Sequence, residues 1–267
     1  MAISLEPASS LTRLDLPRGT HVLGRYESRT YTDSAGKTLL YRLFKPDHYD
    51  RQRQYPLILF LHGAGGRGND NQSQVVDGDI TATSYASEAI QAKYPCFILA
   101  PQCPIDQRWV EVDWSAPTHT QPPQPSQGLQ LTMALLSRLQ KEFSLDPHRL
   151  YVTGISMGGY ATWDLIARYP TYFAAAVPVC GGGDETTADR IVRLPIWVFH
   201  GAQDPTVPAA RSRNMVSAIR RLGGNALYTE YPHVDHHSWL HAYTDPDLLP
   251  WLFFQTRTGN TPLMPCA

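Results

Sequence analysis

Short, wholly apolar runs recur along this chain in a way that a layered α/β architecture accommodates. Leu57–Leu61, Phe97–Ala100, Leu150–Thr153, Ala174–Val179 and Ile196–Phe199 do not alternate polar with apolar residues. Each therefore reads as a strand buried on both faces, as in a parallel sheet, and Ala226–Tyr231 adds a further strand. Helical periodicity lies between them. Leu129, Met133, Leu136, Leu139 and Phe143 recur at steps of three and four, as do Met215, Ala218, Ile219 and Leu222 before Gly223-Gly224. Asp245-Pro246 is a helix start ahead of Leu248, Leu249 and Leu252. Gly24–Thr32 and Lys37–Phe44 differ in kind: they alternate, and Asp33-Ser34-Ala35-Gly36 between them suits a hairpin turn. The expectation is one α/β domain over residues 1–267, with a mostly parallel central sheet, an N-terminal antiparallel hairpin and helices on both faces. Residues 1–22 read as an N-terminal extension. Residues 104–126, with Pro117, Pro122, Pro123 and Pro125, read as a surface loop flanking the site.

Composition narrows the function classes. Charged residues are 18% and hydrophobic residues 42% of the 267, too little charge and too much apolar material for a disordered chain. The formal net charge of −1 and the lack of a dense Lys/Arg stripe argue against a nucleic-acid or acidic-membrane partner, and none is expected. Leu57–Leu61 is far short of the ~20 apolar residues of a membrane span. Cys96, Cys103, Cys180 and Cys266 have no zinc-like spacing. Cys96 and Cys103 flank a predicted strand, too far apart to bridge, so buried thiols are expected. Met1–Leu16 has no apolar h-region, which favours a cytoplasmic protein; removal of a leader would leave secretion or a periplasmic location open.

The chemistry-bearing motif is Gly154-Ile155-Ser156-Met157-Gly158, directly after a predicted strand and before a predicted helix from Met157 to about Arg168. A serine on such a tight strand-to-helix turn has strained backbone angles, and only glycine fits where strand and helix approach on either side. Serine is a weak nucleophile near neutral pH and needs a base held by a carboxylate. Asp204 follows the strand Ile196–Phe199 within His200-Gly201-Ala202-Gln203-Asp204, at the position of an acid in the order serine, acid, histidine. The next loop, Pro232-His233-Val234-Asp235-His236-His237-Ser238-Trp239, offers the base, and chain order leaves His233, His236, His237 and His241 all open. Leu57–Leu61 leads into His62-Gly63-Ala64-Gly65-Gly66-Arg67-Gly68, where glycines turn backbone N–H groups toward a cavity. N–H groups near Ala64 and Gly65, with that of Met157, make a candidate oxyanion hole. No G-x-x-x-x-G-K-[ST] pattern occurs and no lysine follows these glycines, which weighs against phosphate binding.

Together these segments resemble the α/β-hydrolase superfamily, and more narrowly its small lidless phospholipase/carboxylesterase, prolyl-oligopeptidase-family and feruloyl-esterase-like members. The likeness runs over about residues 38–255 and is strongest at Leu61–Gly65, Ala100–Pro104, Gly154–Gly159, Cys180–Asp184 and His200–Asp204. The resemblance implies Ser156 as nucleophile, Asp204 as acid and, from the family's V-G-H-x-S-W segment, His236 as base. Asp235 stands where that segment commonly has glycine, and Gly66 where many relatives carry a glutamate before Arg-Gly.

Val179–Leu194 leaves room for one short helix, so no lid domain is expected and the cleft should be open. Indoles beside an open cleft stack on aromatic or sugar rings. With the resemblance behind it, Trp109 is expected to contact substrate, while Trp114 packs at the core edge. The histidines near residue 236 are too closely spaced in a loop to converge on an ion, so no metal and no cofactor is expected. The expected activity is a serine carboxylic-ester hydrolase acting through an acyl-enzyme on soluble or polysaccharide-linked acyl or aryl esters, such as feruloyl or acetyl esters. A serine peptidase of the same fold and a catalytically silent binding module are the rivals.

Overall fold

A computed structural model describes residues 13–257. The strands are β1 (Glu27–Thr32), β2 (Thr38–Phe44), β3 (Tyr55–Leu61), β4 (Phe97–Pro101), β5 (Leu145–Ile155), β6 (Ala175–Val179), β7 (Trp197–Gly201) and β8 (Leu227–Tyr231). The helices are α1 (Gly19–Val22), α2 (Ser73–Val76), α3 (Glu88–Lys93), α4 (Gln127–Glu142), α5 (Met157–Arg168), α6 (Ala210–Arg221), α7 (Trp239–Ala242) and α8 (Leu248–Phe254). All strands join one 8-stranded sheet in the order β1-β2-β4-β3-β5-β6-β7-β8. The β1–β2 and β2–β4 pairs are antiparallel, and every pair from β4 to β8 is parallel.

The hairpin forms for a local reason. Asp33 Oδ1 accepts from the N–H groups of Ala35 (2.9 Å) and Lys37 (2.8 Å). Gly36 takes the positive φ of +80° that closes the turn. In the centre of the sheet, every residue of β3 is buried. Leu57, Leu59 and Leu61 face one apolar cluster with Leu129, Met133, Trp163 and Met215 of α4, α5 and α6. Ile58 and Phe60 face the other, with Val22, Ile90, Leu248 and Leu252 of α1, α3 and α8. An unbroken apolar run is what a strand needs when helices cover both of its faces.

Several boundaries differ from expectation. β5 begins at Leu145, earlier than the apolar run at Leu150, because Tyr55 pairs with Leu145 before the register shifts ahead of Leu57. Its Asp146–Arg149 stretch is only half-buried, so apolarity does not mark it. α8 begins at Leu248; Asp245 instead starts the preceding turn, its Oδ1 accepting from Asp247 N–H at 2.9 Å. Helices such as α1, α2 and α7, four residues each, are too short to show a period. The part of the expected extension that is described packs onto the body: Leu16 is buried, Leu14 N–H donates to Thr244 O, and Gly19 N–H to Asp79 O.

Cys96, Cys103 and Cys180 are buried free thiols, and Cys266 lies outside the described residues. Between β6 and β7 the chain makes only the short 3-10 turn Glu185–Ile191, leaving the carboxyl end of the sheet without an inserted lid. No described helix is long and apolar enough to cross a membrane.

Candidate active site

Ser156 stands between β5 and α5 with φ 52° and ψ −115°. This torsion is unfavourable for a side chain-bearing residue and is held by the close approach of its neighbours. A Cβ on Gly158 would lie 1.8 Å from Leu61 O, and one on Gly154 2.3 Å from Gly158 O. Both contacts are backbone against backbone, so no side chain can give way. The turn thereby projects the serine at the carboxyl edge of the sheet, where the β7 and β8 loops also end.

Those loops bring the other candidates to it. His236 Nε2 lies 2.8 Å from Ser156 Oγ, and His236 Nδ1 lies 2.7 Å from Asp204 Oδ2. Because a carboxylate only accepts, Nδ1 carries the proton and Nε2 is free to take one from the serine. Among the histidines left open by chain order, His236 is the one joined to both Ser156 and Asp204. His233 is exposed, His237 pairs with Asp235 at 3.1 Å, and the His241 ring lies against Tyr231. Asp235 thus engages the outward-facing histidine. The ring of Trp239 meets that of His236 edge-on at 5.5 Å, and its Nε1–H donates to Gly78 O at 2.9 Å, fixing one wall of the imidazole.

The Asp204 carboxylate has no open acceptor side. Oδ1 accepts from the N–H groups of Thr206 (2.8 Å) and Val207 (2.9 Å), and Oδ2 faces both His236 and the buried Nε2 of His200, at 3.2 Å. Burial alone would raise this carboxyl group, but the hydrogen bonds from His200, His236 and Val207 outweigh it and hold the group well below the usual carboxylate range. His200 escapes sequence reasoning because a histidine near the end of an apolar strand carries no mark of its partner.

The glycine-rich turn after β3 lies beside the serine. The Gly158 Cβ position meets the carbonyls of Leu61 and His62, and that of Gly63 meets Ile155. Ala64 and Gly65 open a 3-10 turn and Met157 opens α5, so their N–H groups have no acceptor within their own element. His62 fixes the turn from beneath: Nε2 accepts from Cys103 N–H (2.9 Å) and Nδ1 donates to Gly63 O (2.6 Å). Arg67, which lacks the family's glutamate, donates to Ala64 O at 3.0 Å instead. Asp77 presses against the same turn; burial raises its carboxyl group, opposed by the N–H of Gly66.

Trp109 departs from expectation. Its side chain is fully buried, with the ring 5.2 Å from that of His62 and Nε1–H donating to His62 O at 3.2 Å. An indole with its polar atom satisfied inward and no exposed face supports the glycine-rich turn and has nothing left to offer a substrate. Trp114 is partly buried against the core.

A crystal structure of a thermostable esterase superposes on 89% of this chain with a TM-score of 0.82 and 39% identity, the match covering 64% of that chain. The dienelactone hydrolase family model matches residues 114–245, a region holding Ser156, Asp204 and His236. This chain has the α/β-hydrolase fold. A probable feruloyl esterase C of Aspergillus niger is 27% identical to this chain over 171 residues, 63% of this chain and 56% of that protein. The chain thus aligns with little more than half the length of this curated relative. The feruloyl esterase module of Clostridium thermocellum, solved with sinapinate, shares the fold at a TM-score of 0.63 and 16% identity.

Among the described residues, Cys180, Asp204 and His236 form a group whose ligand atoms lie within 4.8 Å of one another. The Asp204 and His236 atoms already bond each other at 2.7 Å, and burial pushes the Cys180 thiol well above its ordinary value. That donor set favours a protein hydrogen-bond network over an ion.

Proposed function

We propose that this chain is a serine carboxylic-ester hydrolase working through an acyl-enzyme. The reading rests on one observation: an unbroken hydrogen-bonded chain from Ser156 Oγ through the His236 ring to Asp204 Oδ2, with links of 2.8 and 2.7 Å. His236 Nε2 removes the serine proton as Oγ attacks the ester carbonyl, and Asp204 holds the ring and offsets the imidazolium charge. The N–H groups of Met157, Ala64 and Gly65 receive the tetrahedral oxyanion. His236 returns the proton to the departing alcohol, then activates the water that releases the acid.

Substrate class follows from the open carboxyl edge of the sheet and from the names of the relatives. Soluble or polysaccharide-attached acyl and aryl esters, feruloyl or acetyl among them, suit a cleft with no inserted lid between β6 and β7. A fluorophosphonate probe tests the mechanism: it should label the native protein and fail on Ser156→Ala. Equal labelling of both proteins, or none of either, overturns the reading; absence of labelling leaves a binding module. A panel running from acetyl to feruloyl esters, with peptide anilides beside it, then separates esterase from peptidase.

A further inference from the structure

Asp204 Oδ2 serves two imidazoles. His236 Nδ1 approaches it at 2.7 Å from the solvent side, and His200 Nε2 at 3.2 Å from within the protein. His200 is the penultimate residue of β7 and is wholly inaccessible to solvent. Its Nε2 also lies 3.0 Å from Val207 O. Both neighbours of that nitrogen are acceptors, so Nε2 carries a proton and donates to each. The opposite nitrogen, Nδ1, is 2.7 Å from Ser212 Oγ on α6. Ser212 Oγ in turn is 3.3 Å from Gly181 O. The ring is therefore clamped at both ends, with one end on the catalytic carboxylate.

We propose that His200 is a positioning residue for the reaction proposed above: its Nε2–H orients Asp204 and takes up part of the Oδ2 charge that would otherwise fall wholly on His236. The inference rests on the assignment of Ser156, His236 and Asp204 as the reacting set. The physical consequence is directional. A carboxylate oxygen that donates electron density to two N–H groups binds each less strongly than it would bind one. Sharing Oδ2 with His200 weakens its pull on the protonated form of His236. The base then stays neutral, and able to accept the serine proton, to lower pH. Without the His200 donor the imidazolium gains the whole of Oδ2, and the enzyme loses activity at a higher pH on acidification.

The other ionisable groups around this cluster stay in place in such a variant. They are Cys180 at the end of β6, Tyr160 on α5, Arg211 on α6 and Glu230 on β8, with Asp235 and His237 in the histidine's own loop. None of them donates to Oδ2 in place of His200.

The test is the pH dependence of kcat/KM on a soluble ester such as p-nitrophenyl acetate. His200→Phe keeps a planar ring and removes the donor; its acid limb should move up by about half to one pH unit, with kcat reduced at every pH. His200→Gln retains an N–H in reach of Oδ2 and should bring the limb back toward the native position. Ser212→Ala leaves the His200 ring in its packing but frees one end, and should give a smaller upward shift. It carries the test if His200→Phe does not fold. A loss of activity with the limb unmoved in all the folded variants, and no recovery with Gln, overturns the proposal and leaves His200 a packing residue. His236→Ala separates the two readings: turnover by that variant sinks the reacting set itself, whereas an inactive His236→Ala beside unmoved His200 limbs sinks this inference alone.

Discussion

The carboxylate of Asp77 occupies the space where a side chain on Gly65 would begin. A Cβ at Gly65 would sit 2.3 Å from Asp77 Oδ1, and one at Gly63 3.2 Å from Oδ2. A side chain at Gly65 would thus have to displace a neighbouring carboxylate. Gly65→Ala should displace the turn and misaim its donors, lowering kcat on simple esters about 100-fold while the fold persists. Adding Asp77→Gly should recover part of the loss. Steady-state kinetics beside near-UV circular dichroism checks both, and an active Gly65→Ala would remove this turn from the oxyanion hole.

Two adjacent histidines should behave oppositely. His236 touches Ser156 and Asp204, whereas His237 points outward with its side chain 62% exposed beside Asp235. His236→Ala should lower p-nitrophenyl acetate turnover by about 10⁴-fold or more, and His237→Ala by less than about threefold. The reverse ranking would reassign the base.

Acid should destabilise the fold through His62. Burial, with the nearby Arg67 charge, pushes this imidazole down to about 4 against the opposing pull of the Gly63 carbonyl, and a second proton would also break the bond that Nε2 accepts from Cys103. The unfolded chain takes up its proton near pH 6.5, so between pH 6.5 and about 4 it binds more protons than the native state. Stability from this group is intact above pH 6.5 and falls by about 3 kcal/mol by pH 4, with no further loss below. His119, also lowered to about 4 by burial and by Arg211, adds to the trend with the same sign. Thermal unfolding of His62→Asn should show a lower Tm at pH 7 but a flatter slope into acid than the native chain. An unchanged slope would rule out His62 as the source.

Arg211 ties the loop of residues 104–126 to the body. Its guanidinium is fully buried, donates to Ala116 O and Gly183 O at 2.9 Å each, also bonds His119, and lies over the Tyr160 ring. Arg211→Met fills a similar volume but strands the two carbonyls, at a cost of about 2–4 kcal/mol. Differential scanning should record that loss as a lowered Tm, and limited proteolysis should find new cleavage between residues 104 and 126. Native-like resistance would show that the remaining anchors, such as Tyr160 Oη to Trp114 O and Gln121 N–H to Asp184, suffice.

Much of the fold is legible in the sequence because burial on two faces leaves no room for polar residues: the runs at β3, β4, β6 and β7 announce themselves. Register and strand ends are less so, since the half-exposed start of β5 looks like loop and is strand only because Tyr55 lies opposite. At the site, the flanking glycines single out Ser156 and the order of strand ends singles out Asp204 as candidates. The histidine needs a resemblance or coordinates, because neighbouring rings differ only in direction. Trp109 misleads for the opposite reason. A proline-rich loop does not reveal which of its indoles turns inward, and the acceptor that draws Trp109 under, the His62 carbonyl, is 47 residues away. His200 is invisible in the same sense, its significance residing in a bond formed only after the β7 loop folds back on itself.

The chain between β6 and β7 never leaves the body of the protein, and the loop of residues 104–126 is fastened to α5 and α6. Nothing there must swing aside to admit a substrate. Hydrolysis of the proposed ester substrates should therefore follow a plain saturation curve in ester concentration, with no jump in rate when droplets or micelles appear.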